Sequence, residues 1–161
     1  EFLKKINNKS EIIFKSKKFN KKFIDDFNLE IDLAYGKMNY SKKISNTTHV
    51  IKCFGSVNFL EEYPLLFFDC FIKLDDKQKF LKKLSIKDKN KNEVFDLKVK
   101  GNLNILNKKI NFKNISLNDS YKASKEDLKY FKDIFEKILF DKNFLEIFNF
   151  KKIREFIIEI S

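Results

Sequence analysis

Phe27-Asn28-Leu29-Glu30-Ile31-Asp32-Leu33-Ala34-Tyr35 places its apolar residues on odd numbers and Asn28, Glu30, Asp32 and Ala34 on even ones, a period of two residues. A segment of this kind has one apolar face and one wet face. The same pattern runs from Phe95 to Ile105, where Phe95, Leu97, Val99, Gly101, Leu103 and Ile105 alternate with Asp96, Lys98, Lys100, Asn102 and Asn104. A parallel α/β sheet would read as continuous apolar runs, so the alternation predicts an antiparallel sheet with one solvated face.

Working outward, Lys52-Cys53-Phe54-Gly55-Ser56-Val57-Asn58-Phe59-Leu60 echoes Lys98-Val99-Lys100-Gly101-Asn102-Leu103-Asn104-Ile105-Leu106 at an offset of 46 residues. A repeat of that length suggests hairpin units that each need a neighbour to bury a face, and the glycine inside each copy suggests a bend in the sheet. Each copy leads through a turn to a return strand, Leu65 to Leu74 in the first case and Ile110 to Leu117 in the second. Ile110 and Phe112 differ in parity from Ile115 and Leu117, so a bulge near Lys113-Asn114 is needed to keep one face apolar. Between the hairpins, Asp75 to Leu84 carries Phe80, Leu81 and Leu84 at helical spacing and reads as a short helix or a long loop.

After the boundary at Asn118 to Ala123 the period changes. Ser124 stands three residues before Asp127 and ahead of Leu128, Phe131, Phe135, Ile138 and Leu139, a capping-box start followed by an apolar stripe. Phe144, Leu145, Ile147 and Phe148 form a second apolar group, and Ile153, Phe156, Ile157 and Ile160 a third. The expected class is α+β: one domain over residues 1–161, with a curved, groove-like antiparallel sheet of repeating hairpins over 1–118 and two or three short helices over 119–161.

The 161 residues suffice for one domain with a sizeable core, and 43% hydrophobic residues including 20 Phe argue against disorder. The formal charge of +11 invites a nucleic-acid reading, yet Arg154 is the sole Arg among the 34 basic residues. Arg's planar fork is the usual tool for reading phosphates and bases, so a lysine-coated, solvated surface without a specific nucleic-acid partner is expected. The longest apolar stretch is broken by Asp69 and Lys73, and nothing reads as a membrane span or a signal peptide. The single Met is Met38 and the chain opens on Glu1, which reads as a piece of something longer.

Enzyme chemistry finds little footing. With 3 Gly there is little room for a phosphate-cradling loop, and His49 is the only imidazole available as a base. Asp25-Asp26, Glu61-Glu62 and Asp75-Asp76 are neighbours that point apart in strands or sit in solvated turns. No metal site or cofactor is expected, because Cys53 and Cys70 lack a second spaced pair. Pairing Leu60 with Leu65 across Glu61-Glu62-Tyr63-Pro64 puts Cys53 opposite Ile72 and Cys70 opposite Gly55. The cysteines are then diagonal neighbours with Cα atoms about 7–8 Å apart, beyond the roughly 4.4–6.8 Å of a disulfide, so two free, buried thiols are expected. A two-residue slip would bring them face to face. What stands out is Phe and Ile on one face of a long sheet, either a core closed by the helices or a groove left open for acyl chains.

The segment from Phe95 to Phe112, together with Tyr121-Lys122-Ala123-Ser124-Lys125-Glu126-Asp127-Leu128 and Phe140-Asp141-Lys142-Asn143-Phe144-Leu145, resembles the C-terminal region of AsmA-like proteins, those of AT-rich marine alphaproteobacteria in particular. The stretch from Phe54-Gly55 to Pro64 resembles the repeated strand unit of the same group. The resemblance implies a non-enzymatic envelope protein on the periplasmic side of the inner membrane, held by an N-terminal anchor that this chain lacks. It implies a β-groove that passes phospholipids along an apolar trough, with no catalytic residues. Phe27, Leu29, Ile31, Leu33, Phe95, Leu97, Val99, Leu103 and Ile105 are then the candidate groove wall. The rival readings are an envelope assembly module with a closed core and a Lys-rich nucleic-acid binder, which would show a basic face carrying aromatics.

Overall fold

The computed structural model describes residues 5–15, 24–86, 95–118, 120–140 and 150–159. Strands β1 (Asn7–Lys15), β2 (Asp26–Ala34), β3 (Lys37–Asn46), β4 (His49–Asn58), β5 (Leu65–Leu74), β6 (Phe95–Asn104), β7 (Lys109–Leu117) and the short β8 (Tyr121–Lys122) form one antiparallel sheet in sequence order. The sheet is curved and does not close, since β1 and β8 lie at opposite edges. Helix α1 (Lys77–Lys83) is inserted between β5 and β6, and α2 (Lys125–Leu139) and α3 (Phe150–Glu159) follow the sheet. The α+β class expected from the period change is the one observed. Phe144, Leu145, Ile147, Phe148 and Ile160 lie outside the described residues.

One side-chain parity is carried from strand to strand. Phe27, Leu29, Ile31 and Leu33 on β2 stand opposite Ile44, Lys42, Tyr40 and Met38 on β3, which stand opposite Ile51, Cys53, Gly55 and Val57 on β4. The row continues through Ile72, Cys70 and Phe68 on β5, Leu97, Val99 and Gly101 on β6, and Leu117, Ile115 and Phe112 on β7. Between β6 and β7 the register shifts at Lys100/Gly101, leaving Lys113 as the extra residue. That bulge stands where the parity change required it, and it restores Ile110 and Phe112 to the apolar face. Strand ends are set by turn chemistry. Tyr35 (φ 50°) and Gly36 (φ 78°) make the two-residue turn joining β2 to β3, so Tyr35 ends outside the strand that its alternation predicted. Ile105 likewise falls in the turn after Asn104, whose Oδ1 accepts from Asn107 N at 2.9 Å.

The echoed glycines have a common structural reason. A Cβ on Gly55 would meet Tyr40 Cε1 at 3.0 Å and the Phe67 carbonyl, while one on Gly101 would meet Phe68 Cζ at 2.7 Å and the Asn111 carbonyl. In the row Tyr40, Gly55, Phe68, Gly101 and Phe112, the rings of Tyr40 and Phe68 therefore each lie over a glycine on the next strand. Phe68 and Phe112 meet edge to face with centroids 6.3 Å apart.

The helices cover one end of this face. Ser124 caps α2 by accepting from Asp127 N at 3.1 Å, and Asp127 accepts from Ser124 N at 2.9 Å, the capping box legible in the sequence. Phe135 of α2 packs edge-on against Phe112 (5.7 Å), Phe140 (5.4 Å) and Phe156 (5.5 Å). Glu136 of α2 accepts from the backbone of Ile110 at 3.0 Å and from Lys109 Nζ at 2.9 Å, which covers the outer edge of β7. Arg154 on α3 donates to the Ser85 carbonyl at 3.0 Å, so the sole Arg serves as a tie between α3 and the end of α1.

At the opposite edge, no strand among the described residues pairs with the outer side of β1. Tyr35 N donates to Ile6 O at 3.2 Å, which puts the even residues of β1 in its hydrogen-bonded pairs with β2. The amides and carbonyls of Asn7, Lys9, Glu11, Ile13 and Lys15 then face away from the sheet. Every residue of β1 is exposed.

The cysteines correct the sequence reading. Cys53 stands directly opposite Cys70, the Cα atoms are 4.1 Å apart, and the two are joined in a disulfide. The ladder between β4 and β5 is slipped by two residues from the expected Leu60–Leu65 pairing. Phe59 N donates to the Gly36 carbonyl at 2.8 Å and Leu60 lies against Gly36, so both are drawn to the neighbouring hairpin and the loop before Leu65 lengthens. Thiol titration of the denatured, unreduced protein is expected to find no reactive group, and after reduction two. Replacing both cysteines by Ser should lower the unfolding free energy by about 3 kcal/mol in urea titrations, the loop-closure value for this spacing. Unchanged stability would mean that the bridge does not constrain the ladder.

Candidate functional site

Two buried clusters lie on the apolar face. Leu103, Ile110, Phe112, Ile115 and Phe140 form one, with Leu97, Val99, Ile105, Leu128, Phe131 and Phe135 packed against it. Leu74, Phe80, Leu81 and Leu84 form the other, with Phe95 and Ile157 at its margin. Among the described residues, neither cluster includes a side chain from β1, β2, β3 or β4. The described helices thus lie over β5 to β7 and, at His49, over the start of β4, and among the described residues no helix packs on the same face of β1 to β3.

The expected groove wall divides along this line. Leu103 is buried, Leu97, Val99 and Ile105 are packed beside it, and Phe95 joins the cluster under α1. These side chains contribute to the folded core. Phe27, Leu29, Ile31 and Leu33 are half-buried by their sheet neighbours alone, and on β1 the same face ends in Ile12 and Phe14, 53% and 47% exposed. A concavity of about 330 Å³ at the end of the first three strands is lined mostly from the other face of the sheet, by Ile13, Lys15, Asp26, Asn28, Lys43 and Ser45, with Phe14 and Phe27 beside them. A contiguous apolar surface remains, made by Ile12, Phe14, Phe27, Leu29, Ile31, Leu33, Met38, Ile44 and Ile51.

Two residues that the sequence reading passed over give this surface polarity. Lys42 stands between Leu29 on β2 and Cys53 on β4, with Tyr40 and Ile44 next to it along β3. Its Nζ lies 5.9 Å from the centroid of the Phe27 ring, and burial lowers its pKa from the ordinary lysine value. Burial also raises the pKa of Tyr40, whose hydroxyl points at the Phe67 carbonyl 3.5 Å away. A charge at an apolar parity position was the signal available for Lys42.

His49 has no place in this surface. It is 0% exposed, its Nδ1 lies 3.2 Å from Thr48 Oγ1, and its ring meets Phe80 of α1 edge-on at 5.0 Å. At the start of β4, it is a packed residue under α1. Among the described residues no group of His, Cys, Asp and Glu could hold a metal ion, and no helix is long and apolar enough to cross a membrane.

The other face of the sheet carries Phe54 and Phe67, 46% and 40% exposed, with Phe71 stacked on Phe54 at 5.9 Å and Lys113 Nζ 5.3 Å from the Phe67 ring centroid. Asp69 lies among them and pairs with Lys100 at 3.0 Å, and β2 adds Asp26, Glu30 and Asp32 to this face.

No family model, curated protein or solved structure matches the chain. The division of the apolar face has a measurable consequence. Leu103→Ala should cost about 2–5 kcal/mol in urea unfolding, whereas Ile31→Ala should cost less than half as much, because only the first leaves a cavity under a helix. Equal losses would mean that the β2 surface is packed as tightly as the core.

Proposed function

We propose that the chain is a non-enzymatic, AsmA-like envelope module that binds or conducts lipid acyl chains on the apolar face of β1 to β3, on the periplasmic side of the inner membrane. The observation that carries this reading is the half-covered face. The described helices lie over β5 to β7 and the start of β4, and apolar side chains continue past them to the edge of the sheet. Transfer along such a face needs no chemistry. Burying a chain gains about 0.8 kcal/mol per methylene, and the continuity of apolar side chains along β2 lets the gain persist as the chain slides. The Cys53–Cys70 disulfide supports an oxidising compartment such as the periplasm.

A second reading is favoured by the aromatics on the opposite face. Phe54, Phe67 and Lys113 are the pieces of a stacking platform for single-stranded nucleic acid. Asp69 in the midst of that patch and the acidic row on β2 oppose a polyanion, so we hold nucleic-acid binding to be non-specific. Filter binding should give the same affinity for unrelated sequences, falling steeply as salt rises. Tight, sequence-dependent binding at physiological salt would overturn the lipid reading.

The lipid reading is tested with purified protein and a fluorescent long-chain acyl probe, alongside mass spectrometry of co-purifying lipid. Leu29→Asp and Ile31→Asp should lower probe affinity at least about tenfold while the circular dichroism spectrum and melting curve stay near those of the parent chain, since a charge is unwelcome on a lipid-binding surface but tolerated where no helix covers it. Leu97→Asp, placed beside the covered cluster, should instead unfold the protein. Absence of probe binding, with no co-purifying lipid, would favour the closed assembly module.

A further inference from the structure

The inward parity of β1 to β7 collects Asn, Ser, Tyr, Cys, Gly, His and apolar side chains, and one formal charge. That charge is Lys42, the sole Lys, Arg, Asp or Glu on the apolar face of these strands among the described residues. Across the ladder it faces Leu29 and Cys53, and along its own strand Tyr40 and Ile44. The contact that its Nζ makes is with the Phe27 ring, at 5.9 Å. A lysine on the opposite parity, such as Lys43 or Lys37, has solvent and polar neighbours. Lys42 has given up part of its hydration without a carboxylate to replace it, an arrangement that an arriving anion improves.

We propose that Lys42 anchors the terminal carboxylate of a single-chain fatty acid whose alkyl chain lies on the uncovered apolar surface of β1 to β3. The proposal rests on the acyl-binding reading of that surface and names the ligand it selects. Charge complementarity argues for an anionic head, since among the described residues of β1 to β7 no acid on this face competes for the ammonium. The surroundings argue for a compact one. A phospholipid phosphate is esterified on both sides and needs polar room beyond the anion, and next to Lys42 the floor offers one hydroxyl, that of Tyr40, among Leu29, Ile44 and the Cys53–Cys70 bridge. A carboxylate is a chain end and matches a single ammonium with no further polar partner. The lowered pKa of Lys42 agrees with a site that lacks its counter-charge until the ligand arrives.

The test compares oleate with oleyl alcohol, which shares the chain but lacks the charge, and with phosphatidylglycerol, in calorimetric titrations of the parent chain and of Lys42→Met and Lys42→Arg. Oleate is expected to bind at least about tenfold more tightly than the alcohol, Lys42→Met to abolish that difference while leaving alcohol binding unchanged, and Lys42→Arg to keep it. Lys42→Met replaces a half-buried charge by an apolar side chain of similar length, so its melting temperature should equal or exceed that of the parent and a loss of binding cannot be assigned to unfolding. Equal binding of oleate and alcohol, unaffected by Lys42→Met, would overturn the anchoring role and leave the acyl surface standing. Tighter binding of phosphatidylglycerol than of oleate would overturn the single-chain carboxylate. Binding of none of the three would overturn the acyl surface and the anchor together.

Discussion

Parity is the constraint on which everything else in this molecule depends. In an antiparallel meander each strand inherits its buried side from the one before, and a one-residue slip anywhere would turn all later apolar side chains to water. Two devices hold the parity here. The Cys53–Cys70 bridge pins β4 to β5 at the middle of the sheet, and the extra residue Lys113 returns β7 to the common face after Ile115 and Leu117 would have left it. The apolar face reaches from Phe14 to Ile110 because both are in place.

Rings laid over glycines add a second kind of order. Tyr40 over Gly55 and Phe68 over Gly101 convert two positions without side chains into seats for a neighbour's ring. The matching stretches Lys52 to Leu60 and Lys98 to Leu106 thus describe a recurring contact, and their shared glycine is explained by what lies on top of it. The first such seat is in the uncovered half of the sheet and the second is under α2, so one structural unit serves both a free surface and a core.

The strands with clean alternation, β2 and β6, were legible in the sequence, as were the bulge, the capping box of α2 and the α1 stripe. β1 was hidden because Ile12, Ile13 and Phe14 are consecutive and its whole length is exposed, so no buried face imposes a period. β3 was hidden by Lys42, which interrupts Met38, Tyr40 and Ile44 at the position where an apolar residue was due. The same substitution of charge for apolarity that obscured the strand distinguishes the candidate site. The β4–β5 register was misread because a four-residue turn before Leu65 was the simplest closure, while the attraction of Phe59 and Leu60 to Gly36 is a long-range contact that local pattern does not contain. The extent of helix cover was likewise beyond local pattern, since an amphipathic stripe tells which side of a helix is buried but not which strands it lies on.

The β1 edge gives the sheet a polarity of growth. At β7 the carboxylate of Glu136 and the amide of Ala123 occupy backbone groups that another strand would need. At β1 the corresponding groups of Asn7, Lys9, Glu11, Ile13 and Lys15 remain directed outward, and the alternating charges of Lys9, Glu11 and Lys15 decide what can pair there. An incoming strand must bring the complementary sequence of charges, acid opposite Lys9 and Lys15 and base opposite Glu11, or leave those charges stacked against like neighbours. Among the described residues no strand occupies this edge, which is therefore a coded terminus, selective about any strand that extends it.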